Sequence, residues 1–131
     1  MDIERILRDT RTVAIVGGSA NPQRASHEVW RYLRSFSDYE LYLVNPTVSR
    51  IKGMPVYPSL ADLPVVPDLV DVFRRREHLP GVLAETITVG AKVLWLQLGL
   101  WHDQVASDGE AAGLHVVMDR CLKVDHARLL G

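Results

Sequence analysis

Five apolar runs recur along this chain, at Thr12–Val16, Leu41–Val44, Leu69–Phe73, Lys92–Leu96 and Leu114–Met118, and their starts lie 29, 28, 23 and 22 residues apart. That interval fits one strand plus one crossover helix, so successive units can lay their strands side by side in a parallel sheet. The runs are mostly apolar on both faces rather than alternating, as expected of strands covered by helices on both sides. Helical periodicity fills the intervals. Val29, Leu33 and Phe36 share one face behind Ser26, which reads as an N-cap. Leu79, Leu83 and Ile87 share another, with Pro80 early and Gly90 at the C-terminal end. Asp103 can cap a helix ending before Gly113, Lys123–Leu130 a last one, and Ile3, Ile6 and Leu7 mark a short first one. The expected fold is α/β, a doubly wound parallel five-stranded sheet, in one domain over 1–131.

One connection breaks the rhythm. The 24 residues between Val44 and Leu69 hold Pro46, Pro55, Pro58, Pro64 and Pro67, five of the chain's seven prolines. Each internal proline removes a donor and clashes with the preceding turn, so no regular crossover helix runs through this segment. It reads as a long, stiff loop with one or two helical turns at Ser59–Leu63, capped by Ser59. The loop leaves the carboxyl end of the second strand, where such sheets bind ligands.

The first strand ends in Gly17-Gly18-Ser19-Ala20-Asn21-Pro22, followed by a helix. A strand feeding a tight turn and a helix N-terminus is a ready anion site, because backbone N–H groups point outward there. The turn lacks the spacing G-x-G-x-x-G, and no Gly-Lys-Ser/Thr follows, so it is neither a full dinucleotide fingerprint nor a P-loop. Ser19, Asn21, Arg24 and Ser26 remain as side-chain donors for a phosphate; the bland alternative is a turn with no ligand. Asn45-Pro46 ends the second strand, where NAD sites carry an acid for the ribose hydroxyl. A neutral residue there tolerates a phosphate on that ribose, or simply enters a loop. Arg74-Arg75-Arg76 follows the third strand at the same edge. Arginine grips phosphate through paired charge-assisted bonds; otherwise these cations are solvated and paired with Glu77 or Asp71.

At these residues the chain resembles a known family. Val-Gly-Gly-Ser-Ala-Asn-Pro, Val-Asn-Pro, Tyr-Pro-Ser-Leu, Val-Asp-Val-Phe-Arg-Arg, Gly90-Ala91-Lys92-Val93, Trp95-Leu96-Gln97-Leu98-Gly99 and Met118-Asp119-Arg120-Cys121 follow in the order seen in small stand-alone CoA-binding proteins. The similarity runs from about Thr12 to Leu130. These proteins are related to the CoA-binding domain of the succinyl-CoA synthetase α-subunit and of ADP-forming acyl-CoA synthetases. The resemblance implies a Rossmann-like CoA-binding domain with coenzyme A across the carboxyl ends of the strands. By position it implicates Gly17, Gly18, Ser19, Asn21, Arg24 and Ser26 around the phosphates. Asn45 and Pro46 would flank the adenosine, Phe73, Arg74 and Arg75 the far wall, and Lys52 a 3′-phosphate. The synthetases also need a phosphorylatable histidine loop and a nucleotide-grasping partner, for which 131 residues leave no room, so ligase activity is not implied.

The remaining polar residues give a second reading. Cys121 near Arg120 and Lys123, with His126 as its base, could form a reactive pair of a small enzyme on a CoA-linked or nucleotide substrate. The alternative is a buried thiol and an ion-paired helix start. A reductase using NADP is weaker, for want of a glycine fingerprint and a proton donor. His27 reads as a surface histidine, with a ligand contact as the alternative. His78 and His102 lack the companions of a metal site. Trp95 reads as core, while Gln97 and Trp101 line the crevice or an oligomer contact. Trp30 and Trp101, read as exposed, suggest a homodimer. A net charge of −1 gives no general attraction for nucleic acid or an anionic membrane. No signal pattern or membrane-length apolar run is present, and the single cysteine suits a reducing, cytoplasmic setting. The expectation is a non-catalytic module for coenzyme A or acyl-CoA.

Overall fold

The computed structural model describes residues 2–131. Helix α1 (Ile3–Asp9) leads into β1 (Thr12–Val16), followed by α2 (Ala25–Phe36) and β2 (Glu40–Val44). Then come β3 (Arg50–Ile51), β4 (Met54–Tyr57), β5 (Leu69–Val72) and α3 (Leu79–Val89). The chain closes with β6 (Val93–Leu96), α4 (Asp103–Ala111), β7 (His115–Val117) and α5 (Leu122–Leu129). The strands form one sheet in the order β3-β4-β2-β1-β5-β6-β7, parallel throughout except for the β3–β4 pair.

The sheet is therefore α/β and mostly parallel as expected, but it has seven strands rather than five. Both additions come from the proline-rich segment. Pro55 sits opposite Arg50 in the β3–β4 hairpin at the sheet edge, where a missing donor is tolerated. Val56 and Tyr57 pair in parallel with Leu43 and Val44, extending the sheet beyond β2. What remains of the segment makes a short 3₁₀ turn at Leu60–Asp62; Ser59 precedes it, and its hydroxyl bonds the Asp62 carboxylate rather than a backbone amide.

Two apolar layers cover the sheet, and strand parity assigns residues to them. Val13, Ile15, Leu69 and Trp95 pack against α1, α2 and α5, while Ala14, Val16, Val70, Val72, Leu94 and Leu96 pack against α3 and α4. Every β1, β5 and β6 residue is buried, which explains the unalternating sequence pattern.

Several local expectations change. The N-cap of α2 is Arg24, with no side-chain cap, and Ser26 lies buried inside the first turn. His102, not Asp103, caps α4, its Nδ1 accepting from the Val105 amide at 3.2 Å. Gly90 does end α3 in the left-handed region. Phe36 and Ile87, expected on the inner faces of their helices, are exposed. Trp30 is the largest correction, at 2 % exposed. It falls with Val29 and Leu33 on the inner face of α2, and the Arg34 guanidinium lies over its ring at 5.3 Å. Of the two tryptophans read as an oligomer contact, only Trp101 is exposed. Trp30→Ala should accordingly cost about 3–5 kcal/mol in urea unfolding, as large core truncations do. A change in molecular mass with little loss of stability would instead return Trp30 to an interface.

Candidate functional site

The order of strands across the sheet reverses about β1, because β2 lies on one side of it and β5 on the other. Ligands enter open α/β sheets at the carboxyl side of such a switch point. A cleft of about 620 Å³ opens there. Its wall comes from four strand ends: Gly17, Ser19, Arg24, Ala25 and Ser26 after β1, and Asn45, Pro46 and Thr47 after β2. Phe73, Arg74 and Arg75 follow β5, and Gln97, Leu98 and Leu100 follow β6.

Most of the residues singled out in the sequence thus meet around one cavity. Gly18, Asn21 and Lys52 do not line it. Gly18 is buried, and an added Cβ would stand 3.2 Å from Leu43 Cδ2. Asn21 spends its Oδ1 on the Gln23 amide at 3.0 Å, ordering the turn. Lys52 is exposed in the left-handed region at the tip of the β3–β4 hairpin, beside Gly53. Leu98 and Leu100 are additions that sequence reasoning missed, since nothing marks where a loop after a strand will fold back. Ala25 and Thr47 are too common in kind to signal a site.

Gly17 holds φ +93°, and a Cβ on it would lie 2.8 Å from the Phe73 carbonyl oxygen. The glycine therefore serves the approach of the turn to β5, and a side chain here would collide with backbone. The amides of Gly17 and Gly18 both donate to the Val44 carbonyl, at 2.8 and 3.3 Å. Asn45 completes this hold: its Nδ2 donates to Gly18 O at 2.7 Å, and its Oδ1 accepts from the Thr47 amide at 2.9 Å and hydroxyl at 2.8 Å. An acid at this position has no N–H to give Gly18. The neutral amide is required by the turn itself, in addition to whatever it tolerates on a ribose. Among the described residues, the amides of Ser19, Ala20, Ala25 and Ser26 donate to no protein acceptor. Ala25 and Ser26 open α2, where the helix dipole favours an anion, while Ser19 lines the cleft from the preceding turn with the exposed Ala20 beside it.

Arg24, Arg74 and Arg75 have no carboxylate within ion-pairing distance among the described residues. Arg76 turns away and donates its Nε to Trp101 O at 3.0 Å. The expected alternative, an ion pair with Asp71, is overturned. Asp71 is wholly buried in β5 between Ile15 and Trp95, and neither carboxylate oxygen has a partner. Burial pushes its pKa well above the ordinary Asp value. Gln97, which lines the cleft, is also buried, and its Oε1 is buried without a partner.

His27 is a further correction: it is 1 % exposed, not on the surface, with Nδ1 2.7 Å from Ser19 O. His126 is buried on α5, where its Nδ1 meets the Tyr32 hydroxyl at 2.9 Å and burial lowers its pKa. Cys121 is the N-cap residue of α5 but makes no side-chain cap bond, and neither residue lines the cleft. No group of three or more metal-ligating side chains occurs among the described residues.

The family model described as "CoA binding domain" matches residues 11–127. The chain belongs to this CoA-binding family. It is 38 % identical over 126 residues to the uncharacterized protein YneT of Bacillus subtilis, covering 96 % of this chain and 93 % of that one. It is 25 % identical over 122 residues to the ADP-forming acetate–CoA ligase I of Archaeoglobus fulgidus, covering 86 % of this chain but 18 % of the ligase. The solved structure of a hypothetical protein from Pyrococcus horikoshii superposes with a TM-score of 0.94 at 35 % identity, covering 99 % of this chain and 91 % of that one. No helix of the described residues is long and apolar enough to cross a membrane.

Two substitutions test the local physics. Asn45→Asp should destabilise the fold by about 1–3 kcal/mol, the usual cost of stranding a buried polar partner; an unchanged urea midpoint would mean the Gly18 bond contributes nothing. Asp71 has a folded-state pKa above its unfolded one, so its contribution is complete below the unfolded value and is lost as pH rises toward the folded one. Asp71→Asn stays neutral throughout, and its stability relative to wild type should increase above about pH 4, with a slope of up to about 1.4 kcal/mol per pH unit. Parallel pH profiles for the two proteins would place Asp71 in contact with water.

Proposed function

We propose that this chain binds coenzyme A or an acyl-CoA in the carboxyl-edge cleft and acts as a binding module without chemistry of its own. The observation that carries the reading is the charge arrangement. Arg24, Arg74 and Arg75 converge on one cavity without carboxylate partners, beside a helix start with unpaired amides. Cations left uncompensated in a protein of net charge −1 are suited to a ligand that brings its own negative charges. Coenzyme A brings a diphosphate and a ribose phosphate. The diphosphate suits the Ser19–Ser26 turn, and the adenosine suits the wall formed by Asn45, Pro46 and Phe73.

The other end of the cleft is chemically different. Gln97, Leu98 and Leu100 are neutral, and two of the three are apolar. An amide-bearing, partly apolar arm such as pantetheine matches that end, whereas the nicotinamide riboside of NAD would bring a second ribose there. Membership of the CoA-binding family and the likeness to an acetate–CoA ligase support the same ligand. The Cys121–His126 reading has less support, because His126 is engaged by Tyr32 and the pair lies off the cleft. A cytoplasmic setting, where coenzyme A is plentiful and a lone thiol stays reduced, is consistent with this role.

Isothermal titration with coenzyme A, dephospho-coenzyme A, NAD and NADP tests the proposal. Coenzyme A should bind best, and loss of the ribose phosphate should weaken binding about tenfold or more, the value of one charge-assisted contact. Arg74→Gln and Arg75→Gln should each lose a comparable factor, and affinity should fall with salt. Equal binding of dephospho-coenzyme A, or preference for NAD, would overturn the reading.

A further inference from the structure

The turn after β1 is held at two consecutive carbonyls, from two directions. Asn45 holds Gly18 O and His27 holds Ser19 O, each at 2.7 Å. A carbonyl oxygen only accepts, so the His27 proton is on Nδ1 and the imidazole is the donor. The other neutral tautomer would set two lone pairs against each other at that distance. His27 reaches Ser19 from inside the core: it is 1 % exposed, and its ring packs edge-on against Trp30 with centroids 5.3 Å apart.

Peptide geometry turns this contact into a statement about the cleft. The Ser19 carbonyl and the Ala20 amide belong to one planar trans unit, so the C=O and N–H point in opposite directions. Fixing Ser19 O toward the buried imidazole aims the Ala20 N–H away from it. The Gly18 carbonyl and Ser19 amide are oriented in the same manner by Asn45. Both amides lack a protein acceptor. A rotation of the 19–20 peptide would replace a donor with an acceptor and repel an anion.

We infer that His27 is a positioning residue for the phosphate-receiving turn: by holding the carbonyl of the cleft-lining Ser19 inward, it presents the Ala20 amide beside Ser19, at the rim of the cleft, to the ligand. The inference rests on the coenzyme A reading above and concerns the end of the ligand that carries the diphosphate.

The test compares His27→Phe, which keeps a ring and removes the donor, with His27→Asn, whose amide restores a donor near the Nδ1 position. Coenzyme A and adenosine 3′-monophosphate, which lacks the diphosphate, serve as probes. His27→Phe should weaken coenzyme A about tenfold, the value of one oriented hydrogen bond, and leave adenosine 3′-monophosphate unchanged; His27→Asn should recover most of the loss. Equal losses for both ligands, or none, would overturn the inference. If His27→Phe does not fold, His27→Gln, whose longer amide misses that position, should show the same loss. In the free protein, nitrogen NMR should find the His27 proton on Nδ1, and the Ser19 carbonyl carbon should shift in the variant lacking the donor. A proton on Nε2 would refute the role whatever binds. Failure of the wild type to bind coenzyme A would instead refute the ligand, leaving the NMR result to decide the role of His27.

Discussion

The carboxyl edge of this protein is organised by where the peptide groups of Gly17 to Ala20 send their hydrogen bonds. Two amides go to the Val44 carbonyl, and two carbonyls go to Asn45 and His27. The turn therefore joins β1 to β2 through backbone and to α2 through a side chain, while Gly17 abuts the end of β5. Buried backbone groups must find partners. Here the partners are distributed so that acceptors are used within the protein and donors are left at the helix start. A surface suited to anions follows from that distribution before any charged side chain is counted.

The arginines add charge to a surface already polarised by backbone. Their lack of carboxylate partners is informative because acidic residues are abundant in the chain, 16 against 15 Lys and Arg. Elsewhere the protein does pair its charges: Arg120 and Arg128 meet Asp125, and Lys123 meets Glu28. Asp71, three residues before the arginine cluster, is withdrawn into the sheet, where desolvation favours its neutral form. A carboxylate at the cleft would compete with a phosphate for the same guanidinium groups; the fold keeps this one away.

Much of the framework was legible because burial on both faces of a strand leaves an unmistakable apolar run. β1, β5 and β6 were found within a residue of their ends, and a helix was expected in each of the crossovers that α2 and α3 fill, though not with its N-terminal residue. The β3–β4 hairpin was not legible, because prolines argue against regular structure and only the sheet edge makes them acceptable. Trp30 and His27 were misplaced for a related reason. A twelve-residue helix starting at Ala25 turns them both inward, but the sequence gives little sign of whether an aromatic or an imidazole joins the buried face. Leu98 and Leu100 reach the cleft through the path of the loop after β6, which local pattern does not specify.

By itself the amino-acid sequence determined the class of fold, the end of the sheet where the cleft opens and most residues gathered there. Those properties follow from strand spacing, apolar periodicity and the fixed polarity of parallel crossovers. Tertiary structure alone decided which groups remain available. Asn45 is drawn into holding the turn, Asp71 is buried, Arg76 turns away, and His27 comes from beneath to orient a peptide. Hydrogen-bond partners distant in the chain assign these roles, and their pairing exists only once the strands and α2 have packed together.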